Sequence, residues 1–91
     1  MNINDAARLA SLHQIFDEPI TAQQKDIILM YAMGITTETI ADIKKISTST
    51  VRKHLDSVRL TFDSGTLSSI KSIILIRLIA MTIHPVNGKY L

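Results

Sequence analysis

The sequence predicts a small all-α protein built around a helix-turn-helix, and three observations carry that prediction. Glycine (3) and proline (2) are scarce in 91 residues, so the chain lacks the frequent breakers that punctuate short strands. Apolar residues recur at three- and four-residue spacing, as in Val51, Leu55 and Val58. Serine, threonine or asparagine stands just before each such stripe, where a helix N-cap belongs. The length allows one hydrophobic core, so residues 1–91 are read as a single domain, with four core helices and an extra N-terminal helix. At 46% hydrophobic and 20% charged the chain can fill that core, which excludes a disordered tail. With no cysteine, disulfides and cysteine-based zinc sites are excluded.

The extra N-terminal helix is expected over 4–17. Asn4 is its candidate cap, Leu9, Leu12 and Phe16 share a face, and Pro19 lies beyond its end. The second helix starts at Thr21, which forms a capping box with Gln24. Ile27, Ile28, Met30 and Tyr31 follow, and Gly34 stands at the left-handed position that ends a helix. Thr36 or Thr37 caps a short third helix with Glu38 in its first turn and Ile40, Ala41 and Ile43 inward. Ser47 caps the fourth, over 47–61. Asp63, Ser64, Gly65 and Thr66 form a loop, and an apolar fifth helix over 67–84 ends at Pro85 before an Asn-Gly turn in the tail.

Only a few residues around Lys45, Ile46 and Ser47 separate the third and fourth helices, so 36–61 reads as a helix-turn-helix. Ala41 supplies the small residue where the helices cross, Ile46 the apolar residue tucked into the turn, and Val51 the inward β-branched residue. With these residues, 20–62 resembles the LuxR-type (GerE-like) DNA-binding domain. The matching positions are Ile20-Thr21, Ile27-Ile28, Gly34, Thr36, Ile40-Ala41 and the run from Ile46 through Ser47, Thr48, Ser49, Thr50, Val51, Arg52 and Lys53 to His54. The resemblance implies that the fourth helix enters the major groove of double-stranded DNA and that the fifth helix dimerises. It departs from the family at Gln24, where a Glu is expected, and at Lys44, where a Leu is usually buried and Ile43 would take over the packing. Asp56 stands one turn after Arg52, where it either repels phosphate or orients Arg52 through an i,i+4 pair.

Charge is divided along the chain. Residues 1–43 carry Arg8 and Lys25 against six acidic residues, a balance of −4, whereas 44–91 carry eight Lys and Arg against Asp56 and Asp63, a balance of +6. A basic half suits a polyanion, and a solvated surface is the plainer explanation. The expected DNA-binding residues are Thr36, Lys45, Ser47, Thr48, Ser49, Thr50, Arg52, Lys53, His54 and Asp56. The hydroxyls and helix N-terminal amides suit phosphate, and Arg52 suits a bidentate contact with guanine. The resemblance implies that His54 packs near the turn, within reach of phosphate. Lys44 and Lys45 serve either solubility or a flanking backbone contact. His13, His54 and His84 share no ligand spacing, so no metal site and no cofactor are expected.

From Leu67 to Ile83, eleven of seventeen residues are apolar. Leu67, Ile70, Ile73, Ile74, Leu78 and Met81 make one face; Leu75, Ile76, Ile79 and Ile83 make a second. Lys71 and Arg77 interrupt a stretch already too short to span a membrane. Either the first helix or a second chain covers the second face, and a dimer seam is the preferred reading. Arg77 either snorkels to solvent or finds a partner.

These readings predict a stand-alone, sequence-specific transcription regulator that binds DNA as a homodimer. With no apolar run of signal-peptide length at its N-terminus, its expected place is the cytoplasm. The alternatives are a module that pairs with another transcription regulator through the fifth helix, and a promoter-recognition piece similar to the −35-binding domain of a sigma factor, with RNA polymerase as partner. No paired-carboxylate, Ser-His-Asp or phosphate-loop pattern points to an enzyme.

Overall fold

The computed structural model describes residues 1–63 and 65–83. Five α-helices, with no strand among these residues, run in the order α1 (Ile3–Ser11), α2 (Ala22–Ala32), α3 (Thr37–Lys44), α4 (Thr48–Phe62) and α5 (Leu67–Ile83). The expected boundaries at His84 and Pro85, the Asn-Gly turn and the loop residue Ser64 lie outside the described residues.

The first helix differs most from expectation. Asn2 caps it, not Asn4: the Asn2 side chain accepts from the Asp5 backbone N–H at 2.8 Å. The α-helix ends at Ser11, and Leu12–Ile15 tighten into a 3-10 turn before Phe16 becomes extended. That geometry still delivers Leu9 and Phe16 into the core, with Leu12 packed against it. Pro19 disfavours helical backbone at Glu18, and the chain makes a tight turn there, with Ile20 N–H donating to the Glu18 carbonyl at 2.9 Å.

The remaining starts are as the residues predict. Thr21 and Gln24 form both halves of a capping box, Thr36 accepts from Thr39 N–H, and Ser47 accepts from Thr50 N–H. A left-handed residue follows each of α2 and α3. Gly34 adopts φ 91° after α2, and Ile35 N–H reaches back to the Met30 carbonyl at 3.1 Å. Lys45 adopts φ 57° after α3, and Ile46 N–H reaches the Ala41 carbonyl at 3.0 Å. Each is the closure of a Schellman motif, which satisfies helix-end carbonyls and turns the chain sharply. At the second turn it folds Ile46 against the core.

One core unites all five helices. Ile27, Ile28, Leu29 and Met30 of α2 are buried at its centre, against Ile40 and Ala41 of α3, Val51, Leu55 and Val58 of α4, and Ile70 and Ile74 of α5. Burying a Val, Leu or Ile side chain contributes about 1.5–3 kcal/mol, so this stripe fixes which side of α4 faces inward. The α2 helix packs on both α4 and α5, and the 3-10 turn packs on α5. The first face of α5 therefore serves the core. The N-terminal segment does not cover the second face: within the described chain, Ile76 is 66%, Ile79 57% and Ile83 72% exposed, and Leu75 is also open.

Candidate nucleic-acid interface

With Val51, Leu55 and Val58 inward, the helical repeat sets what α4 presents to solvent. At about 100° per residue, Ser49, Arg52, Lys53, Asp56, Arg59 and Leu60 lie within about 60° of the Asp56 direction. Ser49, Arg52, Lys53, Asp56 and Leu60 are exposed. Thr48 and Thr50 are half-buried to either side of this strip, and His54 is half-buried on the opposite side of the helix, next to the inward Val58.

The N-terminus of α4 is a cluster of hydroxyls. Ser47 Oγ accepts from Thr50 N–H and lies 3.0 Å from Ser49 Oγ and 2.8 Å from Thr50 Oγ1. These groups cap the helix and bond to one another, while the partly positive end of the helix faces solvent. Thr36 is similarly occupied, accepting from Thr39 N–H and bonding the Thr39 hydroxyl. Lys45, in the left-handed turn, is exposed beside this cluster.

The basic half of the chain separates into tied and untied cations. Lys44 Nζ donates to Asp26 Oδ2 at 2.6 Å, and His13 Nε2 bonds Asp26 Oδ1 at 2.6 Å. Lys44 is thus tied to a carboxylate and is not left free in solvent. It replaces an apolar packing residue with a charge whose partner comes from α2, and His13 brings the N-terminal segment into the same link. Arg77 Nη1 and Nη2 each donate to Glu18 at 2.8 Å, and Nη1 also donates to the Ile15 carbonyl at 3.1 Å. Its guanidinium carbon lies 5.5 Å from the Phe62 ring centroid, and Phe62 meets Phe16 edge-on at 6.5 Å. Arg77 has therefore found a partner and does not snorkel to solvent. The Arg77 guanidinium, by hydrogen bond and charge, holds the Glu18 carboxyl below the usual carboxylate range despite its burial. Glu18 in turn raises Arg77 above the ordinary arginine value.

Asp56 bonds Arg59, with Nε at 3.1 Å and Nη2 at 2.6 Å from the same oxygen, Oδ1. The expected i,i+4 pair with Arg52 is not formed: the i,i+3 partner lies on the same strip and its fork reaches the carboxylate in two bonds. The side chains of Arg52, Lys53 and Lys45 engage no other group among the described residues. The cations left free near the helix-turn-helix are therefore those around the first two turns of α4, next to its hydroxyl-rich end.

Other surfaces offer less chemistry. An open groove of about 400 Å³ runs between the N-terminal segment and α5, lined by Gln14, Ile15, Asp17, Arg77, Ala80 and Met81. A second, apolar groove of about 230 Å³ lies between α1 and the end of α2. Neither brings a nucleophile beside a base. No group of three potential metal ligands occurs among the described residues. No single helix there is long and apolar enough to cross a membrane.

The ion-pair partners were beyond sequence reasoning. Asp26, Glu18 and Arg59 carry no local signal as partners of Lys44, Arg77 and Asp56, except that Arg59 stands at i,i+3 from Asp56. Comparison with known families matches residues 18–62 to the model described as bacterial regulatory proteins, luxR family (GerE). The matched segment holds α2, α3 and α4 and stops at Phe62, so α1 and α5 lie outside it. Neither the characterised proteins nor the solved structures contain a significant match to the chain.

Proposed function

Because residues 18–62 belong to the luxR family of bacterial regulatory proteins, a family of DNA-binding transcription regulators, we propose that this chain regulates transcription by laying the N-terminal half of α4 in the major groove of double-stranded DNA as a homodimer. One observation supports the docking: Arg52 and Lys53 stay unpaired on the exposed strip of α4 while Lys44, Arg59 and Arg77 are tied to carboxylates. In a helix-turn-helix the cap region meets the DNA backbone and the first exposed turns meet base edges. Thr36, Lys45 and the hydroxyls of Ser47, Thr48, Ser49 and Thr50 then position the protein on phosphate, and Arg52 and Lys53 reach the bases.

The exposed face of α5 supports the homodimer. Leu75, Ile76, Ile79 and Ile83 form an apolar row that nothing in the described chain covers. A two-fold pairing of that row presents two α4 helices to two half-sites.

Selection of bound duplexes from a random pool tests the reading. An enriched site made of two inverted halves supports it; a pool with no enrichment contradicts DNA reading. For the dimer, Ile76→Glu with Ile79→Glu should leave circular dichroism unchanged, because both side chains are exposed in the single chain, and should convert the sedimenting species to monomer. A wild-type chain that sediments as a monomer at every concentration would overturn the homodimer and direct the α5 face to a different regulator.

A further inference from the structure

Asp56 is the one acid on the groove-facing strip of α4, and its geometry goes beyond the DNA-binding reading on which this inference rests. By the helical repeat it stands at the centre of that strip, flanked at about 40–60° by Arg52, Lys53 and Arg59. A bare carboxylate there would meet two rows of phosphates and weaken binding. Here one cation is committed to it: both Arg59 bonds fall on Oδ1, at 3.1 Å from Nε and 2.6 Å from Nη2. The second oxygen, Oδ2, has no partner among the described residues, and the side chain is 60% exposed against 31% for Arg59. The pair thus presents a charge-compensated acceptor on the exposed strip, with Arg59 anchoring one of its two oxygens.

An ionised carboxylate can only accept hydrogen bonds. The major-groove edge offers two base donors, the N4 amino group of cytosine and the N6 amino group of adenine. Adenine sets its N7 acceptor beside that donor, where it opposes the carboxylate; cytosine has no acceptor on its edge. We infer that Asp56 is a specificity-determining residue that accepts from the N4 amino group of a cytosine through Oδ2, with Arg59 as the positioning residue that holds the carboxylate in place. Arg52, one turn earlier on the same strip, contacts a neighbouring base pair.

The experiment uses the full chain and the duplex selected from a random pool, with every base pair of one half-site varied in turn. Wild type should prefer cytosine at one pair by roughly 5- to 150-fold, the equivalent of about 1–3 kcal/mol. Asp56→Ala should reduce that preference to about twofold or less and leave the ranking at the other pairs intact. Asp56→Asn should move the preference from cytosine to adenine, because an amide pairs with N6 and N7 together. Arg59→Ala should weaken the cytosine preference without transferring it to another base. A merely structural Asp56 moves none of these rankings. If Asp56→Ala raises affinity equally for every sequence, or Asp56→Asn leaves cytosine preferred, the inference is overturned while DNA binding stands. If wild type binds no duplex, the DNA-binding reading fails and takes the inference with it.

Discussion

Replacing Asp26 with Asn removes the charge that compensates Lys44 while keeping the side chain's shape. Both contacts of the carboxylate, to Lys44 Nζ and to His13 Nε2, measure 2.6 Å. The three side chains are only 22%, 19% and 19% exposed for His13, Asp26 and Lys44, so water replaces little of what is lost. A hydrogen bond to a charged group contributes about 1.5–3 kcal/mol, and a neutral one about 0.5–1.5 kcal/mol. Asn keeps one acceptor, so part of that sum survives, and the expected loss is roughly 1–2 kcal/mol. For a chain of this size each kcal/mol moves Tm by about 4–8 °C, so the melting point should fall by roughly 4–16 °C. Urea unfolding followed by circular dichroism gives the free energies. Lys44→Met, which keeps the stem and removes the charge, completes a double-mutant cycle with Asp26→Asn, and a coupling of about 1 kcal/mol is expected between them. If the two changes add to within about 0.3 kcal/mol, the Lys44–Asp26 contact is not a stabilising link and the account of Lys44 is wrong.

Three further outcomes follow from particular side chains. The Glu18 carboxyl, held low by Arg77, contributes stability that is fully present above the ordinary carboxylate value and is lost as pH falls from there through its depressed value. Glu18→Gln should therefore lower neutral-pH stability and flatten the acid limb of a Tm-against-pH curve; an unchanged limb contradicts the pairing. Lys45 holds φ 57°, a backbone region that costs most residues about 1–2 kcal/mol, so Lys45→Gly should leave the fold at least as stable while lowering the salt slope of DNA binding by about one. Arg52→Ala should relax base preference at one pair per half-site; an equal loss of affinity for every sequence would make Arg52 a phosphate clamp instead.

The parts of this protein that were legible in its sequence are those governed by short-range rules. Thr21, Thr36 and Ser47 cap helices because each precedes a stripe whose first amides need an acceptor, and the information lies within three residues. Gly34 and the Val51, Leu55, Val58 stripe are equally local. The two faces of α5 could be separated by periodicity alone, and the face that meets the core was the one containing Ile70 and Ile74. Asn2 and Asn4 both satisfy the capping rule, and only the emerging geometry of the first turn selects Asn2. The tightening of Leu12–Ile15 has no breaker to announce it. Ion pairs were the least legible. Arg77 lies 59 positions from Glu18 and Lys44 lies 18 from Asp26, so their pairing follows from the packing of the 3-10 turn on α5 and of α2 on α3. Asp56 was read against Arg52 at i,i+4, and the arginine at i,i+3, Arg59, is the one that reaches it.

The central claim is that the N-terminal half of α4 is the surface that meets DNA. Titration of the isotope-labelled protein with its selected duplex, followed amide by amide in NMR spectra, tests it most directly. The account predicts the largest shifts at Thr36, Lys45 and residues 47–56, with Leu75, Ile76, Ile79 and Ile83 little changed. Shifts confined to the α5 row, or none at a duplex concentration that saturates binding by other measures, would contradict it.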